Sequence, residues 1–394
     1  MHNFRGVSTR PTRVLAVQPN VLPYRYAFWE LATHRAALMG FDLRICHAAI
    51  DHQSQVVSGV GDLPNSHTVS SIQLMHKPFR LSFKNSHNCV RAFKPQLIVL
   101  QHALGNLETY WHILHESIGG PRVAWWGHGS RSFDVGQPQS KLASLDMSLA
   151  RRGDWYFAYT ERGANYLARR GYSRSRISVV QNTFDTDTLR NQIHAISDEE
   201  LRSFQEHHEL TPGRTVLFIG TLSTTKGVPT LLHVAKLLKD RIPGFHLLMG
   251  GTGPLEANVR YAADSSSHVT YLGRLDGTAK AVALRAADLL LIPRAIGLIA
   301  VDSLVAGVPI VTAYDGGHGP EVDYLTDERT SVFTEGQIDA YADAVADLLM
   351  NPAKLSRLSE NCRIDSRAYR LDAMASNFIG GLQAWSKLYA VRHN

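Results

Sequence analysis

Short runs of aliphatic and β-branched residues alternate along the chain with amphipathic stretches of roughly 10 to 18 residues, the period of parallel strands joined by helices. In the first half the strand-like runs are RVLAVQP (13–19), FDLRICHA (41–48), QLIVLQH (96–102), RVAWWGH (122–128), WYFAYT (155–160) and ISVVQNT (177–183). The second half repeats the pattern with TVLFIG (215–220), FHLLMG (245–250), HVTYLG (268–273), DLLLIP (288–293), PIVTAY (309–314) and TSVFTE (330–335). Helical patterns such as YRYAFWELATHRAALMG and GVPTLLHVAKLLKDR separate them, and beyond about residue 335 the pattern is helical to the end. The spacing predicts an α/β protein of two doubly wound, Rossmann-like domains, residues 1–190 and 214–367, joined by a polar linker over 191–213. A ligand is expected in a central cleft that both domains face, at the carboxyl ends of the strands.

Composition narrows the function. At 394 residues, with 44% hydrophobic and 19% charged residues, the chain can bury two ordinary cores and is not disordered. No run approaches about 18 uninterrupted apolar residues, so no spanning helix is expected. MHNFRGVSTRPT at the start carries no cleavage pattern of a signal peptide, and a cytoplasmic location is the expectation, with peripheral contact at the inner membrane surface left open. Three scattered cysteines, Cys46, Cys89 and Cys362, lack metal-ligand spacing and read as buried thiols. A formal charge of +6 suits an anionic surface or a phosphate-bearing small molecule. Nucleic acid is not expected, because no recognition motif accompanies the basic residues.

Four segments, in order and spacing, resemble the donor half of family 4 glycosyltransferases, retaining enzymes of the GT-B fold and glycosyltransferase group 1 type. They are VLFIGTLSTTKGVPTLLHVAKLL, LLMGGTGPLEANV, VTYLGRLD and PRAIGLIAVDSLVAGVPIVTAYDGGHGPEV, over roughly residues 215–335. A looser likeness runs through VAWWGHGS and YFAYTERGANYLARRGYSRSRISVVQNTFDTDTL. In such a protein the C-terminal helix, about 368–394, is expected to pack back on the first domain.

Strands that end in glycine before a helix place open N–H groups and the positive end of a helix dipole at one point, which suits a diphosphate. Gly220, Gly250, Gly251, Gly253, Gly273 and Gly297 occupy such exits, although glycine at a tight turn needs no ligand. Gly297 with Leu298 is the pair expected to touch phosphate. The resemblance implies two cations after the first of these strands. Here Lys226 is present and Thr221 stands in the arginine position. A cation there would neutralise the leaving diphosphate.

The family's two carboxylates, eight residues apart, fall on Arg294 and Asp302. Asp302 can still accept ribose hydroxyls, being one methylene short of glutamate. Arg294 donates only, so either the backbone amides of Ala295 to Leu298 hold the sugar while Arg294 clamps phosphate, or the donor sugar is acidic, or Arg294 is a surface residue. Glu321, in DGGHGPEV, either binds ribose or caps the turn it begins. His128, between two glycines at a strand end, matches the histidine these enzymes place near the donor sugar's anomeric centre, where it can donate or steer a proton. Where the family has a glycine-rich first turn, this chain has QPNVLPYRYAFWEL, with Tyr24, Arg25, Tyr26 and Phe28 as an acceptor platform or as core.

The resemblance implies a metal-independent hexosyltransferase that takes a UDP- or GDP-linked sugar, needs no cofactor, and works in polysaccharide or glycoconjugate synthesis on a glycan, lipid-linked or small-molecule acceptor. The alternative is a non-catalytic nucleotide- or glycan-binding relic, with Thr221 and Arg294 as its marks. Acceptor choice is expected in loops 19–26, 53–92 and 102–140.

Overall fold

A computed structural model describes residues 10–48, 63–76, 79–129 and 141–391, and these form two compact units, Met1–Phe184 with Leu371–Asn394, and Asp185–Arg370. Parts of the loops expected to choose the acceptor, 53–62, 77–78 and 130–140, lie outside the described residues.

The first unit is built on a parallel sheet of β1 (Thr12–Gln18), β2 (Phe41–Ala48), β3 (Ser66–Val69), β6 (Leu97–Gln101), β7 (Arg122–Gly127), β8 (Trp155–Ala158) and β9 (Ile177–Val179), in the order β3-β2-β1-β6-β7-β8-β9. A separate antiparallel pair, β4 (Ser71–His76) and β5 (Phe79–Lys84), joins residues on either side of positions 77–78. Neither this pair nor β3 was legible in the sequence: Ser66–Val69 is a polar edge strand of four residues with no apolar period to announce it.

In the C-terminal helix, Leu371–Val391, the side chains of Met374, Phe378, Leu382 and Trp385 recur at helical spacing and are all fully buried in this unit's core. Phe378 meets the Trp126 ring at 5.0 Å between centroids and the Phe28 ring at 5.8 Å, so the chain's end is part of the first unit's aromatic core.

The second unit carries β10 (Thr215–Ile219), β11 (His246–Gly250), β12 (Val269–Gly273), β13 (Leu289–Leu291), β14 (Ile310–Ala313) and β15 (Ser331–Thr334), all parallel, in the order β12-β11-β10-β13-β14-β15. The chain winds outward from β10 through β11 and β12, then returns to its other side with β13. The order therefore reverses between β10 and β13, which is where a doubly wound sheet opens a crevice at its carboxyl edge.

The polar stretch 191–213 is not a linker. It holds most of two helices, Thr186–Ala195 and Asp198–His207, which belong to the second unit. Asp185 accepts from the Thr188 N–H, and Ser197 with Glu200 forms a reciprocal capping box. Leu189 and Ile196 are buried, whereas helix Asp198–His207 buries none of its residues, which is why its sequence reads as polar spacer. Cys46, Cys89 and Cys362 are buried free thiols.

Candidate functional site

The chain leaves β10 through Gly220 and Thr221, makes a short 3-10 turn over Thr224–Lys226, and enters helix Val228–Arg241. That helix forms because Val228, Leu231, Val234, Ala235 and Leu238 supply one buried face, with Pro229 in its first turn. The β10 exit is pinned to the β11 exit. The Gly220 N–H donates to the Gly250 carbonyl at 3.1 Å, and the Gly251 N–H donates to Gly273 at 2.7 Å. Gly251 has φ of +137°, and a Cβ there would lie 1.8 Å from the Gly220 carbonyl oxygen. Its absence of a side chain is thus set by backbone crossing backbone, whatever ligand it also meets. Thr221 is exposed, and its own N–H has no partner among the described residues.

Lys226 reaches across to the β13 exit, where its Nζ donates to the Ala295 carbonyl. Adjacent Gly227 lies so near this segment that a Cβ on it would come within 2.7 Å of Pro293 Cγ. Burial lowers the pKa of the Lys226 ammonium, and the Glu321 carboxylate works in the opposite direction. Arg294 is exposed and makes no ion pair or hydrogen bond among the described residues.

Ala295 has φ of +52°, a left-handed conformation unfavourable for alanine by about 1–2 kcal/mol. It is held there at both ends of the residue, since its N–H donates to Gly316 at 2.8 Å while its carbonyl accepts from Lys226. The next amide, of Ile296, donates to Nδ1 of His318 at 3.2 Å, and His318 Nε2 donates to the Ala313 carbonyl at 2.7 Å. These two bonds fix a neutral imidazole, with Nδ1 as acceptor and the proton on Nε2. Burial lowers its pKa; the Ala313 bond opposes that, and the positive charge of Arg294 adds to it. His318 thereby ties the β13 exit to the loop after β14, a positioning role the sequence did not disclose.

The four amides proposed for sugar binding therefore divide. Those of Ala295 and Ile296 are engaged within the protein, whereas those of Gly297 and Leu298, like that of the next residue Ile299, have no partner among the described residues. They open helix Ile299–Ala306, which has no side-chain cap at Leu298. Glu321 is buried in the turn Pro320–Tyr324 and faces the same point. Its Oε2 would lie 4.0 Å from a Cβ on Gly297 and 3.1 Å from one on Gly319.

Asp302, one turn into the helix, is buried, and its Oδ1 accepts from Lys280 Nζ at 2.7 Å. Any ribose hydroxyl reaching Asp302 would share it with Lys280. Lys280 stands in another helix, Gly277–Ala286, and no spacing in the sequence links it to Asp302.

In the second unit, then, the structure gathers Gly220, Lys226, Arg294, Gly297, Leu298 and Glu321 about the β10 and β13 exits, with Thr221, Gly251 and Asp302 adjoining. His128 belongs to the first unit. It follows β7, is exposed, and its ring lies 4.9 Å from that of Tyr159. The flanking Gly129 has φ of +76°, and a Cβ there would stand 2.7 Å from the Gly163 carbonyl oxygen. The Gly-His-Gly setting thus has a packing cause independent of chemistry.

The sequence-suggested aromatic platform is divided. Phe28 is core, Tyr24 is 43% exposed, and Arg25 Nη1 donates to the Thr183 carbonyl at 2.9 Å while Nη2 donates to Asn182 Oδ1. Among the described residues no three His, Cys, Asp or Glu side chains gather as metal ligands, and no helix is long and apolar enough to cross a membrane.

Comparison with known proteins adds three findings. The family profile described as glycosyl transferases group 1 matches residues 200–365. Among curated proteins, a 2-deoxystreptamine N-acetyl-D-glucosaminyltransferase of Niallia circulans is 29% identical over 201 residues, covering 49% of this chain and 48% of that protein. A phosphatidyl-myo-inositol mannosyltransferase of Mycolicibacterium smegmatis is 33% identical over 106 residues, covering 26% of this chain and 28% of the relative. The matched region spans about half the length of the first of these relatives and less of the second.

Among solved structures, HepE of Anabaena in complex with UDP superposes with a TM-score of 0.70 at 13% identity, covering 95% of this chain and all of that one. Sucrose-phosphate synthase of Thermosynechococcus elongatus gives 0.67 at 16% identity, covering 96% and 100%. At these identities the superpositions speak for the fold. The second unit thus contains the region similar to glycosyl transferases group 1, and the chain has a GT-B fold of two Rossmann-like halves.

Proposed function

We propose that the protein is a glycosyltransferase that moves a hexose-type residue from a nucleotide diphosphate sugar to an acceptor hydroxyl, with retention at the anomeric carbon and without a metal. One observation carries this reading: Lys226, Arg294 and the open amides of Gly297, Leu298 and Ile299 converge where the strand order reverses. In the reaction the bond from the sugar's C1 to the diphosphate oxygen breaks, and a bond from C1 to the acceptor oxygen forms. Negative charge grows on the departing diphosphate, and fixed donors aimed at it lower that barrier; a single such donor contributes on the order of 3 kcal/mol.

Arg294 clamps phosphate in this reading, and the amides meet either phosphate or sugar hydroxyl. Glu321, the acid nearest those amides, is the candidate for the ribose or sugar hydroxyls, with Asp302 and Lys280 beyond it. His128 is the first unit's contribution, a donor to a sugar hydroxyl. The uridine and mannose chemistry printed in the names of neighbours and relatives favours a UDP- or GDP-linked donor, and the phosphatidylinositol relative favours glycoconjugate synthesis, with peripheral work at a membrane surface.

Release of nucleoside diphosphate from UDP-glucose, UDP-N-acetylglucosamine and GDP-mannose tests the proposal. Wild-type protein should release one diphosphate above the buffer rate. His128→Ala should lower release by about 100-fold or more while leaving diphosphate binding intact. A protein that binds a diphosphate but releases none from any donor, with or without glycan acceptors, would support the binding-protein reading.

A further inference from the structure

The same sheet has a second charged edge. At its amino end a cavity of about 790 Å³ opens among the helices, and every residue lining it belongs to the second unit. Asp288, immediately before β13, and Gly213, just ahead of β10, form part of its floor, so it lies at the strand ends opposite Gly220 and Arg294. Four arginines line it, Arg190, Arg285, Arg363 and Arg367, together with His194.

The ion-pair partners of these arginines lie outside the cavity lining. Arg190 pairs with Asp187 at 2.6 Å, Arg285 with Asp198 at 2.6 Å, and Arg363 with Glu360 at 3.6 Å, yet none of those three carboxylates lines the cavity. Arg367 makes no ion pair or hydrogen bond among the described residues. Asp288 is the one acid in the lining. Its Oδ2 is engaged by the Thr215 N–H at 2.9 Å, and burial raises its pKa.

We propose that this cavity is a second anion site, taking a small molecule or headgroup with at least two phosphate-type groups. A guanidinium fork matches two oxygens of one phosphate, and Arg363 and Arg367, four residues apart on one side of the cavity, present two such forks with little competing carboxylate. Ser356 and Ser359, in the helix that carries Arg363, add hydroxyl donors. The volume lies in the range of small-ligand cavities. The site is independent of the donor reading, because it shares no residue with the carboxyl edge.

Inorganic pyrophosphate titrated into the full chain by calorimetry at low salt is the test. Wild type should bind two equivalents, one at each edge of the sheet. Lys226→Ala should keep the amino-edge equivalent, and Arg363→Ser with Arg367→Ser should lose it by 10-fold or more in affinity while keeping the other. Arg367→Ser alone, which removes no ion pair or side-chain hydrogen bond among the described residues, should leave the thermal midpoint unmoved and weaken the amino-edge equivalent several-fold. Vesicles with cardiolipin, whose headgroup carries two phosphates, identify the source. Vesicle binding that falls in the double variant and is competed by pyrophosphate assigns a lipid headgroup, and vesicle binding unchanged beside lost pyrophosphate binding assigns a free phosphorylated molecule. Pyrophosphate binding identical in wild type, Arg367→Ser and the double variant overturns the proposal.

Discussion

The two units each have a first strand at the point where the strand order reverses, yet the two exits differ in chemistry. After β10 come Gly220, an exposed Thr221 and a lysine held over the neighbouring exit. After β1 come Pro19 and Pro23, a 3-10 turn, and Arg25 fastened to Asn182 and Thr183 within its own unit. Topology alone therefore does not make an anion site. The anion site proposed for the second unit rests instead on a lysine whose ammonium keeps donors to spare, an arginine left exposed, and three helix-opening amides without partners among the described residues. In the first unit the corresponding cation is consumed by internal structure.

The largest effect on this contrast should come from Gly251→Ala. A methyl group 1.8 Å from the Gly220 carbonyl forces the two strand exits apart, and a loss of about 3 kcal/mol or more in unfolding free energy is expected, with the diphosphate response lost too. Chemical denaturation measures the first, and a variant as stable as wild type would mean the exits are not locked together.

Next in size is Lys280→Met, which leaves the buried Asp302 without its cation. A cost of roughly 1–3 kcal/mol is expected, largely restored in Lys280→Met with Asp302→Leu. Equal stability of the single variant and wild type would show that the pair carries little and that Asp302 is free to serve a ligand.

The smallest effect concerns pH. Folding lowers the His318 pKa, so its contribution is complete above the ordinary histidine value of about 6.5 and is lost as pH falls through the lower folded value. Below that, Nδ1 carries a proton and cannot accept from Ile296. Diphosphate affinity should weaken in that acidic range in wild type, by a few-fold, and His318→Asn should flatten the profile. The same acid profile in both proteins would assign the effect to other groups.

All twelve runs read as strands from their apolar period form strands, and of the glycines the sequence marked after them, Gly251 is fixed by close backbone approach and Gly273 by its left-handed φ of +69°. Lys226 lies at the β10 exit, where the resemblance to family 4 glycosyltransferases led a cation to be expected. The environment of Arg294 was not. The left-handed Ala295, the lock through His318 and the Lys280 partner of Asp302 join residues from different loops and helices, and tertiary packing sets such pairs without any local period. Residues 191–213 misled for the opposite reason: helices exposed on most faces have the composition of a spacer.

Thermal stabilisation by UDP, GDP, ADP and dTDP, for wild type beside Lys226→Ala, bears most directly on the central claim. At about 100 times its dissociation constant one diphosphate should add roughly 2.7 kcal/mol to wild type. One of the four should do so, and Lys226→Ala should lose most of the gain. No stabilisation by any of them at millimolar concentration, or an equal gain in the variant, would contradict a donor cradle built on Lys226.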